Sequence, residues 1–184
     1  MRFYNRMSTK ICDNTSVGQI IRNGKKIAVI ERINYPEAYA LPAGHVDGDR
    51  SFTAAMLREI EEEAGLLVEE NKSVFKEDID NPCKRTGGTH HLWEVYEALR
   101  WSGILKAGSD ARKARWFSAE ELKKIAERTE YFMKKYGIPY DHVGELTIAI
   151  FGKNPEDKAT DPEWKKEMGL EPVWYYILKK LEAV

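Results

Sequence analysis

Residues 44–66, GHVDGDRSFTAAMLREIEEEAGL, leave the chain little freedom: a polar, glycine-containing loop must deliver it straight into a helix that carries acidic residues on one side. Ser51 stands at the N-cap, where its hydroxyl takes up an amide proton that the first turn leaves unpaired. Gly65 stands where a helix ends in the left-handed conformation. Between them Phe52, Ala55, Met56, Ile60 and Ala64 recur at three- and four-residue spacing, so one stripe belongs to a core. Glu59, Glu62 and Glu63 follow the same spacing and turn toward a common side, away from Ile60 and Ala64. Exposed like charges cost a few tenths of a kcal/mol per pair, and a hard divalent cation, magnesium first, would offset that. The carboxylates by themselves favour a plainer reading, a solvated acidic face.

The flanking sequence supplies strands. Residues 16–22 (SVGQIIR) and 26–31 (KIAVIE), joined by Asn23-Gly24-Lys25, predict an antiparallel hairpin. Residues 38–42 predict a brief strand after the break at Asn34-Tyr35-Pro36. Residues 66–68 and 73–75 predict strand pieces around a polar bend, 89–99 a longer strand and 115–117 a short one. Ser118 and Glu121 form a capping box for a second helix that ends at Gly137. Beyond it, 146–151 predict a strand, while Asp161-Pro162 and Glu171-Pro172 predict helix starts. Trp164, Trp174, Tyr175, Tyr176, Ile177 and Leu181 require a surface to pack on, so this tail is folded.

Composition narrows the function classes. With 42% hydrophobic and 32% charged residues over 184, the chain reads as one globular domain, its core at about 14–136 and an extension at 137–184. The 29 Lys and Arg balance 30 Asp and Glu, so no bulk attraction to nucleic acid or anionic membrane is built in. Cys12 and Cys83 are the only cysteines and lie far apart, which argues against a disulfide framework or a zinc knuckle and fits a reducing cytoplasm. The first ten residues carry charge without an apolar run, and no apolar stretch approaches the ~18 residues that cross a bilayer.

The stretch 44–66 resembles the Nudix box: Gly, five residues, Glu, seven residues, then Arg-Glu-apolar-any-Glu-Glu-any-Gly-apolar. Gly44, Arg58, Glu59, Ile60, Glu62, Glu63, Gly65 and Leu66 meet eight of its nine specified positions, and the supporting layout runs over about 14–136. The resemblance implies an α+β fold, an α/β/α sandwich with a mixed sheet between helices, here followed by a C-terminal helical extension. It implies Mg2+ or Mn2+ held by Glu59, Glu62 and Glu63 with the backbone carbonyl of Gly44, and Arg58 among the catalytic residues. The implied reaction is water attack on phosphorus in a nucleoside diphosphate-X or nucleoside triphosphate, the metal activating the water and stabilising the departing phosphate. The implied partner is thus a small nucleotide-like diphosphate, and a homodimer is compatible with the sequence.

The ninth position is Arg50, where the family has a Glu that ties the loop to Arg58. Asp47 or Asp49 is positioned to take over that pairing, and Arg50 becomes a candidate contact to a substrate phosphate. If the substitution disables the site, the alternative is a nucleotide-binding or regulatory module on the same fold. The general base outside the box has candidates in Asp110, Glu94 and Glu97, each more readily read as an ordinary surface carboxylate. His90 and His91 face opposite ways on a strand, so one of them, His91, is a candidate for lining the site, without metal-ligand company in the sequence. No further motif selects a substrate.

Overall fold

Alternation along the β-branched runs decides which layer each side chain joins. The computed structural model describes residues 10–153 and 159–184; apart from Lys10, the N-terminal stretch read above lies outside them. Strand β1 (Thr15–Ile20) lies parallel to β7 (His90–Gly103) and antiparallel to β5 (Ala43–Gly44), and β7 pairs antiparallel with β6 (Leu66–Asp80). A second sheet holds β2 (Arg22–Asn23), β3 (Lys26–Arg32), β4 (Tyr39–Ala40) and β8 (Ala111–Phe117), all antiparallel.

Val17, Ile21, Ala28 and Tyr96 point to one face, where they pack on Ala55, Met56, Ile60 and Ala64 of α1 (Phe52–Ala64). Ile20, Ile27, Val29 and Val95 point the other way, toward α2 (Ala119–Tyr136) and α5 (Pro172–Lys180). Helices thus cover both faces of the β-structure, as the α/β/α reading requires. Outside that layer, Phe132 of α2 packs with Leu146 and Ile150 of α3 (Val143–Phe151) and with Trp164 of α4 (Pro162–Lys166). Among the described residues no helix is long and apolar enough to cross a membrane.

Both predicted caps form. Ser51 Oγ accepts the Ala54 amide at 3.1 Å, Gly65 adopts φ 65°, and Ser118 and Glu121 complete their reciprocal box. Three expectations are corrected. The hairpin at Asn23-Gly24 is confined to β2 and β3, because the chain passes from one sheet to the other at Ile21, and residues 15–20 pair elsewhere. The polar bend between 68 and 73 is no bend: β6 continues through it with register shifts, its polar side chains solvated or paired, as Lys72 is with Glu97 at 2.9 Å. Residues 146–151 are helical, since Val143, Leu146, Thr147, Ile150 and Phe151 are buried at helical spacing while Ile148 is 39% exposed.

The C-terminal segment enters the main core. Trp174 lies over β1, where a Cβ on Gly18 would stand 2.6 Å from the indole ring. The residue at the start of α5, Glu171, is brought alongside β3.

Candidate active site

The last turns of α1, the end of β3, strand β5, the loop between β6 and β7 and the start of α5 surround a cleft of about 290 Å3. Glu63 is recessed in it and accepts the Ala43 amide through Oε2 at 2.9 Å. Burial pushes the Glu63 carboxyl up to about 8; the Ala43 amide and Arg32 oppose that rise, and Glu59 and Asp110 add to it. Glu59 is also raised, by burial first, with Arg58 acting against it. A Cβ on residue 44 would lie 1.9 Å from Glu59 Cδ and 2.3 Å from each of its carboxylate oxygens, so the Glu59 head group occupies the notch that glycine leaves. Glu62, with 60% of its side chain exposed, stands at the rim.

Arg58 ties these parts together. It donates to Glu59 Oε1 at 2.7 Å, Glu62 Oε2 at 3.3 Å, Asp49 Oδ2 at 3.0 Å and the His45 carbonyl at 3.1 Å. Asp49 therefore holds the loop to the helix. Arg50 is exposed and has no ion-pair partner among the described residues, and it does not line the cleft. Asp47, the other candidate, pairs instead with Lys10 at 2.7 Å and with both terminal nitrogens of Arg85, and the Arg85 bonds hold its carboxyl well below the usual range.

Of the carboxylates outside the box, Asp110 lines the cleft. Glu97 lies on the sheet surface between Arg22 (3.3 Å) and Lys72 (2.9 Å), and Glu94 pairs with Lys76 at 2.9 Å; neither reaches the cleft. His91 does line it and is 1% exposed, with Nδ1 2.8 Å from the Asn81 carbonyl. The company that the sequence denied His91 is present: Cys12, His45 and Cys83 surround it.

Four charged residues of this cleft escaped the sequence reading. Arg32 forms a two-pronged ion pair with Glu171, at 3.1 and 2.9 Å, joining β3 to the C-terminal segment. Lys84 and Arg85 project from the loop between β6 and β7. No spacing rule links these positions to the box; the Glu171-Pro172 helix start was the one visible signal, and it spoke of structure.

A family model described as NUDIX domain matches residues 13–136. The ADP-ribose pyrophosphatase of Methanocaldococcus jannaschii is 33% identical over 125 residues, 66% of this chain and 71% of that protein. The MutT NUDIX hydrolase from Burkholderia pseudomallei superposes with a TM-score of 0.51 at 27% identity, over 59% of this chain and 84% of that one. The NUDIX domain of Shewanella oneidensis NrtR, solved in complex with ADP ribose, gives a TM-score of 0.51 at 16% identity over 66% and 82% of the two chains, a likeness of fold alone.

Proposed function

This chain belongs to the Nudix hydrolase family and is a pyrophosphohydrolase acting on nucleotide diphosphates, and from that premise we propose that its substrate is a nucleoside diphosphate-sugar of the ADP-ribose type. The observation that carries the site assignment is the Glu59 carboxyl seated in the notch of Gly44 while the Ala43 amide holds Glu63 beside it. An all-oxygen set of Glu59, Glu62, Glu63 and the Gly44 carbonyl suits Mg2+ or Mn2+. Once bound, such a cation supplies charge for the diphosphate and acidity for an attacking water.

The protein's own residues do the positioning. Arg58 fixes Glu59 and, through Asp49 and the His45 carbonyl, fixes the loop on either side of Gly44. Asp110 is our choice for the carboxylate that orients water, because it lines the cleft and Glu94 and Glu97 do not. Lys84 lines the same cleft without an ion-pair partner among the described residues, and we assign it to the substrate's negative charge. The 33% identity to the ADP-ribose pyrophosphatase supports the sugar-nucleotide choice. Asp49 performs the tether left open by Arg50, so that substitution lends no weight to a catalytically disabled module.

A panel of ADP-ribose, other nucleoside diphosphate-sugars and nucleoside triphosphates, assayed with Mg2+ and with Mn2+, tests the proposal. AMP and ribose phosphate should form from ADP-ribose with kcat/KM at least about tenfold above any triphosphate, a difference of ~1.4 kcal/mol in transition-state binding. Preferred turnover of a triphosphate would overturn the substrate choice, and no turnover of any compound would overturn the site assignment.

A further inference from the structure

The distance between Cys12 and Cys83 along the chain conceals that the fold brings them together. Cys12 precedes β1, His45 directly follows β5, Cys83 lies in the loop between β6 and β7, and His91 is near the start of β7. One ligand atom from each lies within 4.8 Å of those of the other three. We propose that Cys12, His45, Cys83 and His91 form a structural site for a thiophilic divalent ion, zinc in kind, adjoining the glutamate site and separate from it.

The geometry fits four-coordination by two sulfurs and two nitrogens. Zinc–sulfur bonds of about 2.3 Å place the tetrahedral S···S edge at ~3.8 Å, and zinc–nitrogen bonds of about 2.0 Å place the mixed edge near ~3.5 Å. Cys12 Sγ stands 3.7 Å from Cys83 Sγ and 3.1 Å from His91 Nε2. His91 is oriented from behind: the Asn81 carbonyl, which only accepts, takes the proton on Nδ1 at 2.8 Å and leaves the Nε2 lone pair toward the sulfurs. Among the described residues the Nε2 of His45 is buried without a hydrogen-bond partner, an unsatisfied group that a cation would answer.

The sulfurs are equally prepared. Cys12 Sγ accepts the Asn14 amide at 3.3 Å and Cys83 Sγ the Arg85 amide at 3.4 Å, bonds that stabilise thiolates. A Cβ on Gly88 would lie 2.2 Å from Cys83 Sγ and 3.2 Å from Cys12 Sγ, so glycine keeps the corner open. Two thiolates and two neutral imidazoles around a dication carry no net charge, which suits a site set back from water. Soft sulfur excludes Mg2+ and selects zinc. Such an ion would clamp the segment before β1, the residue after Gly44, the loop bearing Lys84 and Arg85 and the start of β7, four chain positions that meet beside the cleft.

The intact protein, purified under reducing conditions and dialysed against Mg2+, should retain one zinc ion per chain by elemental analysis. Mercurial titration of the thiols should release that ion as the two sulfurs react. Exchange for Co2+ should give a thiolate-to-cobalt charge-transfer band and tetrahedral ligand-field bands, which a site of oxygen donors does not produce. Cys83→Ser should lose both band and metal, whereas Glu59→Gln should keep both. If Cys83→Ser fails to fold, the cobalt spectrum of the unaltered protein still decides. Protein that takes up neither zinc nor cobalt with both thiols free overturns the proposal, and so does a Cys12–Cys83 disulfide in protein handled without oxidant.

Discussion

A Cβ added at residue 44 would stand 1.9 Å from the carboxyl carbon of Glu59, and the side chain it strikes is the one we place on the metal. Gly44→Ala should therefore displace Glu59 and lower kcat/KM by about a hundredfold or more, a loss of ~3 kcal/mol, since displacement of about 1 Å carries that order of cost. The melting temperature should shift little, because Glu59 can swing toward solvent; activity retained within a few fold would remove Glu59 from the ligand set. Asp49 and Arg50 make a paired test on neighbouring residues. Asp49→Asn removes the loop's charge from Arg58, which keeps Glu59 and Glu62, and should cost up to about tenfold in kcat/KM, whereas Arg50→Glu should change it less than about threefold. A large loss in Arg50→Glu alone would make Arg50 a substrate contact. The box residues were legible because one helix fixes their mutual spacing, and Asp110 was legible as a candidate only. Arg32, Lys84, Arg85 and the Cys12–His45–Cys83–His91 cluster were not, since each depends on segments that meet only after the sheets form.

Helix α4 spans only Pro162–Lys166, too short to persist without help, and Asp161 supplies it. The carboxylate accepts the Glu163 amide at 2.7 Å, the Trp164 amide at 3.4 Å, Lys135 Nζ at 2.8 Å and the Tyr136 hydroxyl. Burial acts to raise its pKa, but these donors, Lys135 first, outweigh burial and hold the group well below the ordinary carboxylate range. A depressed folded-state pKa means that the stabilisation is fully present above the unfolded value of about 4 and is lost as pH falls below it. Asp161→Ala should cost about 2 kcal/mol near neutral pH, through the lost cap and charge-assisted bonds. Thermal melts of both proteins should converge as pH drops below about 4, and a gap constant from neutral to acid pH would show that packing, not the carboxylate, is at work. Elements with chemical end signals were readable in this way: Ser51, Gly65, Ser118, Gly137 and Asp161-Pro162 each marked a boundary that the structure keeps. Elements defined by what they pack on were not. Helix α3 read as a strand when its window omitted Val143, and β1 separated from β3 because pairing across sheets leaves no local mark.

The NUDIX match ends at residue 136, yet the core does not. Val173, Trp174, Ile177 and Leu178 have 0% exposure and share one apolar cluster with Ile20, Val29, Trp93 and Val95 of the strands. At ~1.5–3 kcal/mol for each buried large side chain, the apolar face of α5 is worth roughly 10 kcal/mol, comparable to the whole stability of an ordinary domain at about 5–15 kcal/mol. Removing the segment also strips Glu171 from Arg32 and so breaks the two-pronged ion pair that joins β3 to the start of α5. A chain ending at residue 136 should accordingly fail to melt cooperatively and should bind a hydrophobic dye, although it retains the complete Nudix box. Two variants separate the contributions within the 184-residue chain. Glu171→Gln tests the ion pair by itself, and Gly18→Ala, with its Cβ 2.6 Å from the Trp174 ring, tests the seating of α5 on β1 at an expected ~1–3 kcal/mol. A cooperative melt from the 1–136 fragment would show that α5 merely covers a core complete without it. Failure of the fragment, with Gly18→Ala destabilised and Glu171→Gln impaired in both stability and kcat/KM, would establish that the last helix belongs to the catalytic body, entering the cleft through Glu171 as it closes the core through Trp174.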